Sequence, residues 1–133
     1  MHNKKILIVE DEKEAAALLE EFLRDEGFSA IEHAADGIHA VRKANKFMPD
    51  LILLDLKMPG GDGITVFKKL RQTVPTAKIP IIVITGAGDD TIKKRLLSSG
   101  VCTYFQKPYK PELLMAEIKN ALRKASTSGE AWA

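Results

Sequence analysis

The chain is poor in the residues that would cross-link it or anchor it. Cys102 is its single cysteine, so no internal disulfide can form, cysteine metal cages are excluded, and the residue reads as a small core filler in a protein suited to a reducing compartment. Histidines are also few: His2, His33 and His39 share no ligand spacing, and none is assigned to catalysis or metal binding. No apolar run approaches the roughly 18 residues of a membrane span. The first apolar stretch, Ile6 to Val9, is too short for a signal peptide and runs straight into Glu10-Asp11-Glu12. Charge of one sign is lacking as well. Lys and Arg number 20 against 18 for Asp and Glu, a balance that argues neither for nor against nucleic acid. These absences lead to the expectation of a soluble cytoplasmic protein with no membrane contact; no direct nucleic-acid partner is expected either, because no helix-turn-helix or second basic unit is evident after Lys124.

What the chain does have is an ordinary globular composition and a regular alternation of patterns. Its 133 residues suit one domain, which can bury about two thirds of its unfolded surface without staples. Ile6 to Val9 is apolar throughout, as in a strand covered on both faces. Ala15, Leu18, Leu19, Phe22 and Leu23 then form a helical stripe that ends at Gly27. A weaker strand around Phe28 to His33 suits a sheet edge, and Asp36-Gly37 opens a helix carrying Ile38, Val41 and Phe47. Leu51 to Asp55 is the third strand, followed by a Pro/Gly-rich loop and a helix with Ile64, Phe67 and Leu70. Ile81 to Thr85 is a fourth, β-branched strand. A thin-striped helix is expected over 90–99, with Lys93, Lys94 and Arg95 on its solvated side, then a fifth strand over Val101 to Gln106. Pro111 opens a last helix with Leu114, Ile118, Ala121 and Leu122 inward. The expected domain is 4–124, with 125–133 a frayed tail or linker. Strands alternating with helices predict a parallel α/β sheet. No repeat or low-complexity segment is present.

In such a sheet all strands point one way, and ligands gather beyond their carboxyl ends. Those ends carry Glu10 and Asp11, Asp55, Thr85 and Lys107. Asp55 follows four apolar residues, an expensive place for an unpaired carboxylate. If the carboxylates lie about 5 Å apart, each pair repels by roughly 3 kcal/mol at an effective dielectric of about 20. A divalent cation relieves that repulsion, and oxygen ligands without nearby His or Cys favour Mg²⁺ over zinc. A carboxylate beside such a metal can attack phosphorus and form an aspartyl phosphate. Asp55, alone on its strand, is the natural nucleophile, with Thr85 and Lys107 able to meet the transferring oxygens.

These residues resemble the response-regulator receiver domains of bacterial two-component signalling. The resemblance spans Lys4 to Lys124 and rests on Ile6 to Asp11, Asp55 with Met58-Pro59 and Gly63, Thr85-Gly86, and Lys107-Pro108, in order and at matching spacing. It implies a flavodoxin-like doubly wound fold with five parallel strands ordered 2-1-3-4-5. It also implies roles: Asp55 as phosphoacceptor, Asp11 as a direct Mg²⁺ ligand, Glu10 as a ligand through water, and the backbone carbonyl of Lys57 as a further ligand. Thr85 is then the switch hydroxyl, Lys107 its ion-pairing partner before a cis proline, and Tyr104 the aromatic whose burial follows the threonine. The implied function is a phosphorelay switch, not an enzyme acting on outside substrates. It would take phosphate from a histidine kinase or phosphotransfer protein and change its affinity for a downstream protein, as a monomer or weak homodimer.

Departures from the pattern are informative. Glu10 stands where Asp is common, a change that preserves a metal ligand. Ala87, two residues beyond Thr85, can hold no attacking water, which implies a long-lived phosphoryl group. A phosphohydrolase is the rival reading, but such enzymes carry an acid two residues after the nucleophile, where this chain has Lys57. Constitutive binding without phosphorylation is opposed by the intact set Asp11, Asp55, Thr85 and Lys107. Gly86-Ala87-Gly88 is set aside as a dinucleotide turn, because Thr91 falls at the third glycine position. With no output module evident after Lys124, the chain reads as a free-standing regulator or as the receiver of a hybrid kinase or longer regulator.

Overall fold

A computed structural model describes residues 3–56, 63–86, 94, 98 and 103–132, with 126–132 described in backbone alone. The expected helix over 90–99 and the positions Lys57, Ala87 and Cys102 lie outside the described residues.

Five strands form one sheet: β1 (Lys5–Val9), β2 (Ala30–Ala34), β3 (Leu51–Leu54), β4 (Ile81–Thr85) and β5 (Thr103–Gln106), in the order β2-β1-β3-β4-β5. Every neighbouring pair is parallel, so all five carboxyl ends open on one edge of the sheet. The central strands β1, β3 and β4 have side chains covered on both faces, as their unbroken apolar sequences require. β2 is only partly covered, and its polar Glu32 and His33 are tolerated because it is an edge.

The period-two alternation of the strands divides the core in two. Leu7, Val9, Ile52, Leu54, Ile81 and Val83 point to the layer of helices α2 (Gly37–Phe47) and α3 (Gly63–Gln72). Ile6, Ile8, Leu51, Leu53, Ile82 and Ile84 point to α1 (Lys13–Asp25) and α4 (Pro111–Trp132). A short 3-10 turn, Val74–Thr76, leads into β4, with the buried Thr76 hydroxyl donating to the Leu70 carbonyl at 2.6 Å.

Local signals explain the joins. Helix α1 stops at Gly27, whose φ of 97° lets its N–H reach the Arg24 carbonyl while the Phe28 N–H reaches that of Leu23, closing the helix end. Asp36 caps α2, its side chain accepting from the His39 N–H at 2.8 Å.

Several expectations shift. Leu18 was placed on the inward stripe of α1 but is 50% exposed, because the helix turns Ala16, Leu19 and Leu23 to the sheet instead. Ile38, read with the apolar positions of α2, is 61% exposed, and Ala40 and Ala44 take the buried positions. Helix α4 runs to Trp132. The second strand begins at Ala30, two residues after Phe28, which packs into the core ahead of it.

Candidate functional site

The sheet register brings the strand ends together. The Asp55 N–H donates to the Val9 carbonyl at 3.0 Å, prolonging the β1–β3 ladder and holding Asp55 beside Glu10. The Lys107 N–H donates to the Thr85 carbonyl at 3.0 Å, so β5 presents Lys107 alongside the end of β4. The Lys107-Pro108 peptide bond is cis. Residues far apart in the chain thus become neighbours because parallel strands end in register.

Glu10, Asp11 and Asp55 each offer a carboxylate oxygen within 4.8 Å of the others, the metal-capable group found among the described residues. Asp55 is 7% exposed and Glu10 9%, while Asp11 is open to solvent. Two buried carboxylates this close need a counter-charge, and Lys107 supplies it: Nζ lies 2.7 Å from Glu10 Oε1 and 3.1 Å from Asp55 Oδ2. The second Glu10 oxygen accepts from the Glu12 N–H at 3.3 Å.

Electrostatics mark the cluster as under-neutralised. Burial pushes the Glu10 carboxyl up to about 6; the neighbouring Asp55 charge adds to the rise and the Lys107 hydrogen bond opposes it. Burial alone would lower the Lys107 ammonium, yet its hydrogen bonds to Glu10 and Asp55 prevail and hold it above its ordinary value. One ammonium therefore serves two carboxylates, with Asp11 left over, and the donor set of hard oxygens fits a divalent cation such as Mg²⁺.

Other predicted residues fall around this centre. Thr85 is fully buried at the end of β4. Tyr104, opposite Val83 in the β4–β5 register, packs half-buried on the α2–α3 face of the sheet, the face toward which Thr85 also points. Gly63 opens α3 directly against the acidic strand end. Its N–H donates to the Leu56 carbonyl at 2.9 Å, and a Cβ there would stand 2.4 Å from Leu56 Cα and 3.0 Å from the Asp55 carbonyl oxygen. The histidines stand apart: His33 contacts Glu20, and His39 Nδ1 lies 2.7 Å from Asp36.

One residue escaped the sequence reading. Tyr109 packs against the α1–α4 face and lines, with Glu10, Asp55 and Lys107, a cavity of about 330 Å³; burial raises its hydroxyl above the ordinary range. The only local signal was an aromatic directly after Lys107-Pro108.

Comparison with known proteins identifies the family. The family model for the response regulator receiver domain matches residues 6–119. The phosphate regulon transcriptional regulatory protein PhoB of Escherichia coli (strain K12) is 38% identical over 123 residues, which is 92% of this chain and 53% of that protein. The alkaline phosphatase synthesis transcriptional regulatory protein PhoP of Bacillus subtilis (strain 168) is 39% identical, with 92% and 50% covered. This chain therefore spans about half the length of these curated relatives. Among solved structures, the receiver domain of a sensor histidine kinase from Pseudomonas aeruginosa PAO1 superposes with a TM-score of 0.81 at 30% identity, covering 90% of this chain and 97% of that one. That structure has a magnesium ion coordinated in its active-site cleft.

Proposed function

The chain belongs to the response regulator receiver domain family, a module of two-component phosphorelay signalling, and from that membership we propose that Asp55 is its phosphoacceptor and Glu10, Asp11 and Asp55 its Mg²⁺ ligands. The observation that carries the reading is the shared ammonium: Lys107 bridges Glu10 and Asp55 at 2.7 and 3.1 Å, leaving an acidic centre with one cation already aimed at the reacting oxygen.

The residues divide the work. An Asp55 oxygen attacks the phosphorus of a phosphohistidine; a P–O bond forms, the P–N bond breaks, and the imidazole departs with its electron pair and takes a proton. Glu10, Asp11, Asp55 and the Lys57 backbone carbonyl would hold Mg²⁺, which when bound would supply positive charge beside the transferring oxygens. Lys107 can leave Glu10 and follow the Asp55 oxygen onto a phosphoryl oxygen, replacing one ion pair by another. The buried Thr85 hydroxyl turns to donate to a second phosphoryl oxygen, vacating volume on the sheet face that Tyr104 can enter. The output is then a population shift of a protein-binding surface.

Catalysis is confined to the chain's own phosphorylation and dephosphorylation, since Lys57 stands where a phosphohydrolase needs its acid. The donor is a histidine kinase or histidine phosphotransfer protein, the listener a downstream protein, and the setting the cytoplasm. With Ala87 unable to hold water, the phosphoryl group is long-lived; a half-life of seconds in Mg²⁺ would overturn that part.

Incubation of wild type and Asp55→Asn with acetyl phosphate and Mg²⁺, followed by intact-protein mass measurement, tests the assignment. A single added phosphoryl group in wild type alone is the expected result. Equal modification of Asp55→Asn, or none in wild type, overturns it.

A further inference from the structure

Charge is spread unevenly over the two helical layers. Neither α2 nor α3 contains a single Asp or Glu, yet together they carry Arg42, Lys43, Lys46, Lys68, Lys69 and Arg71. Two of these six cations serve the fold: Lys43 donates to the His33 carbonyl, and Arg71 Nη1 donates to the carbonyls of Ala77 and Ile79 at 3.2 and 2.8 Å. Arg42, Lys46, Lys68 and Lys69 are exposed and form no ion pair among the described residues. Among the described residues the acidic neighbours are Asp36, whose carboxylate caps the start of α2 and bonds His39, and Glu32 on the edge strand, which shares a neighbouring groove with Arg42 and Lys46.

An apolar feature lies inside this cationic surface. Between α2 and α3 runs a cavity of about 240 Å³ lined by Ile38, Val41 and Arg42 from one helix and Thr65, Val66 and Lys69 from the other. Ile38 stands 61% exposed at its mouth. The core gains little from that side chain, because Ala40, Ala44, Val66, Phe67 and Leu70 already fill the layer beneath. An aliphatic centre rimmed by unpaired cations has the anatomy of a recognition surface rather than of a merely solvated face.

The geometry points to the α2–α3 groove as a docking site for an acidic segment of another protein, one that inserts an aliphatic side chain beside Ile38 and sets carboxylates against Arg42 and Lys69. Charge complementarity selects that occupant. Nucleic acid fits less well: an exposed isoleucine occupies the centre of the patch, and no aromatic ring lines the groove among the described residues, Phe67 being buried and Phe47 covered by Lys5 at 5.5 Å from its centroid. A second copy offering its acidic α1 would make a head-to-tail contact, which builds rings or open chains rather than a closed two-fold dimer.

The test is a nuclear magnetic resonance titration of the isotope-labelled full chain with a short helical peptide whose glutamates flank two leucines. Amide shifts are expected to concentrate at 37–47 and 63–72, to weaken with salt, and to need about tenfold more peptide in Ile38→Ser and in Arg42→Glu/Lys69→Glu. These positions are exposed, so circular dichroism and Asp55 phosphorylation should match wild type. Absent or scattered shifts overturn the proposal. So does equal binding by a peptide with serines for the leucines, or by duplex DNA. Self-association without peptide that Arg42→Glu/Lys69→Glu abolishes would replace the partner with a second copy.

Discussion

The Lys107 ammonium and the Asp55 carboxylate, 52 residues apart in the chain, meet at 3.1 Å across the carboxyl edge of the sheet. If Lys107 stabilises the transferring group as proposed, removing its charge should cost roughly 10²-fold, as in comparable oxyanion sites. Lys107→Ala should therefore accept phosphate from acetyl phosphate on the order of a hundredfold more slowly, followed as a mass time course, with Lys107→Arg intermediate. An unchanged rate would remove Lys107 from the chemistry.

Metal binding should appear as stability. If the three carboxylates converging within 4.8 Å hold Mg²⁺ as proposed, the ion should bind the folded chain and not the unfolded one. At a hundredfold excess over Kd that is worth about 2.7 kcal/mol. Thermal denaturation should show a Tm raised by Mg²⁺, restored by EDTA, and raised much less in Asp11→Asn or Asp55→Asn.

Gly63 is required by space. A methyl group there would meet Leu56 Cα at 2.4 Å, and backbone cannot move aside as a flexible side chain can. Gly63→Ala should cost at least about 1–3 kcal/mol in chemical denaturation. It should also slow phosphorylation, since the displaced backbone carries Asp55.

The Glu20–His33 contact ties α1 to the edge strand. Its hydrogen bond to His33, and then that to Arg24, hold the Glu20 carboxyl below its ordinary value of 4.5. A depressed folded value means stability that is fully present above about 4.5 and lost as pH falls through the lower folded value. Glu20→Gln should thus be less stable than wild type at neutral pH, and the two denaturation curves should converge in acid. The exposure of the pair keeps the difference small.

Much of the architecture was legible because its causes are local. Ile6 to Val9, Leu51 to Leu54 and Ile81 to Thr85 are apolar without interruption, which only strands covered on both faces tolerate, and Gly27 marks a helix end because its backbone can take positive φ. The carboxylates at the strand ends were legible for the same reason, as polar residues abutting buried runs. Tyr109 was not, since an aromatic after a Lys-Pro pair carries no local sign of what it will pack against. Leu18 and Ile38 misled because a helical stripe leaves the angle at which the helix meets the sheet undetermined.

By itself, then, the sequence determined the alternation of strands and helices, the buried character of the central strands, and which acidic, hydroxyl and ammonium groups would stand at strand ends. Only the tertiary structure decided that Lys107 would be shared between Glu10 and Asp55, that Glu10 would be pushed up to about 6, that α2 and α3 would set their cations around one groove, and that Gly63 would press against Leu56. Those outcomes depend on strand order and register, which join residues far apart in the chain, and local pattern carries no measure of the distances that result.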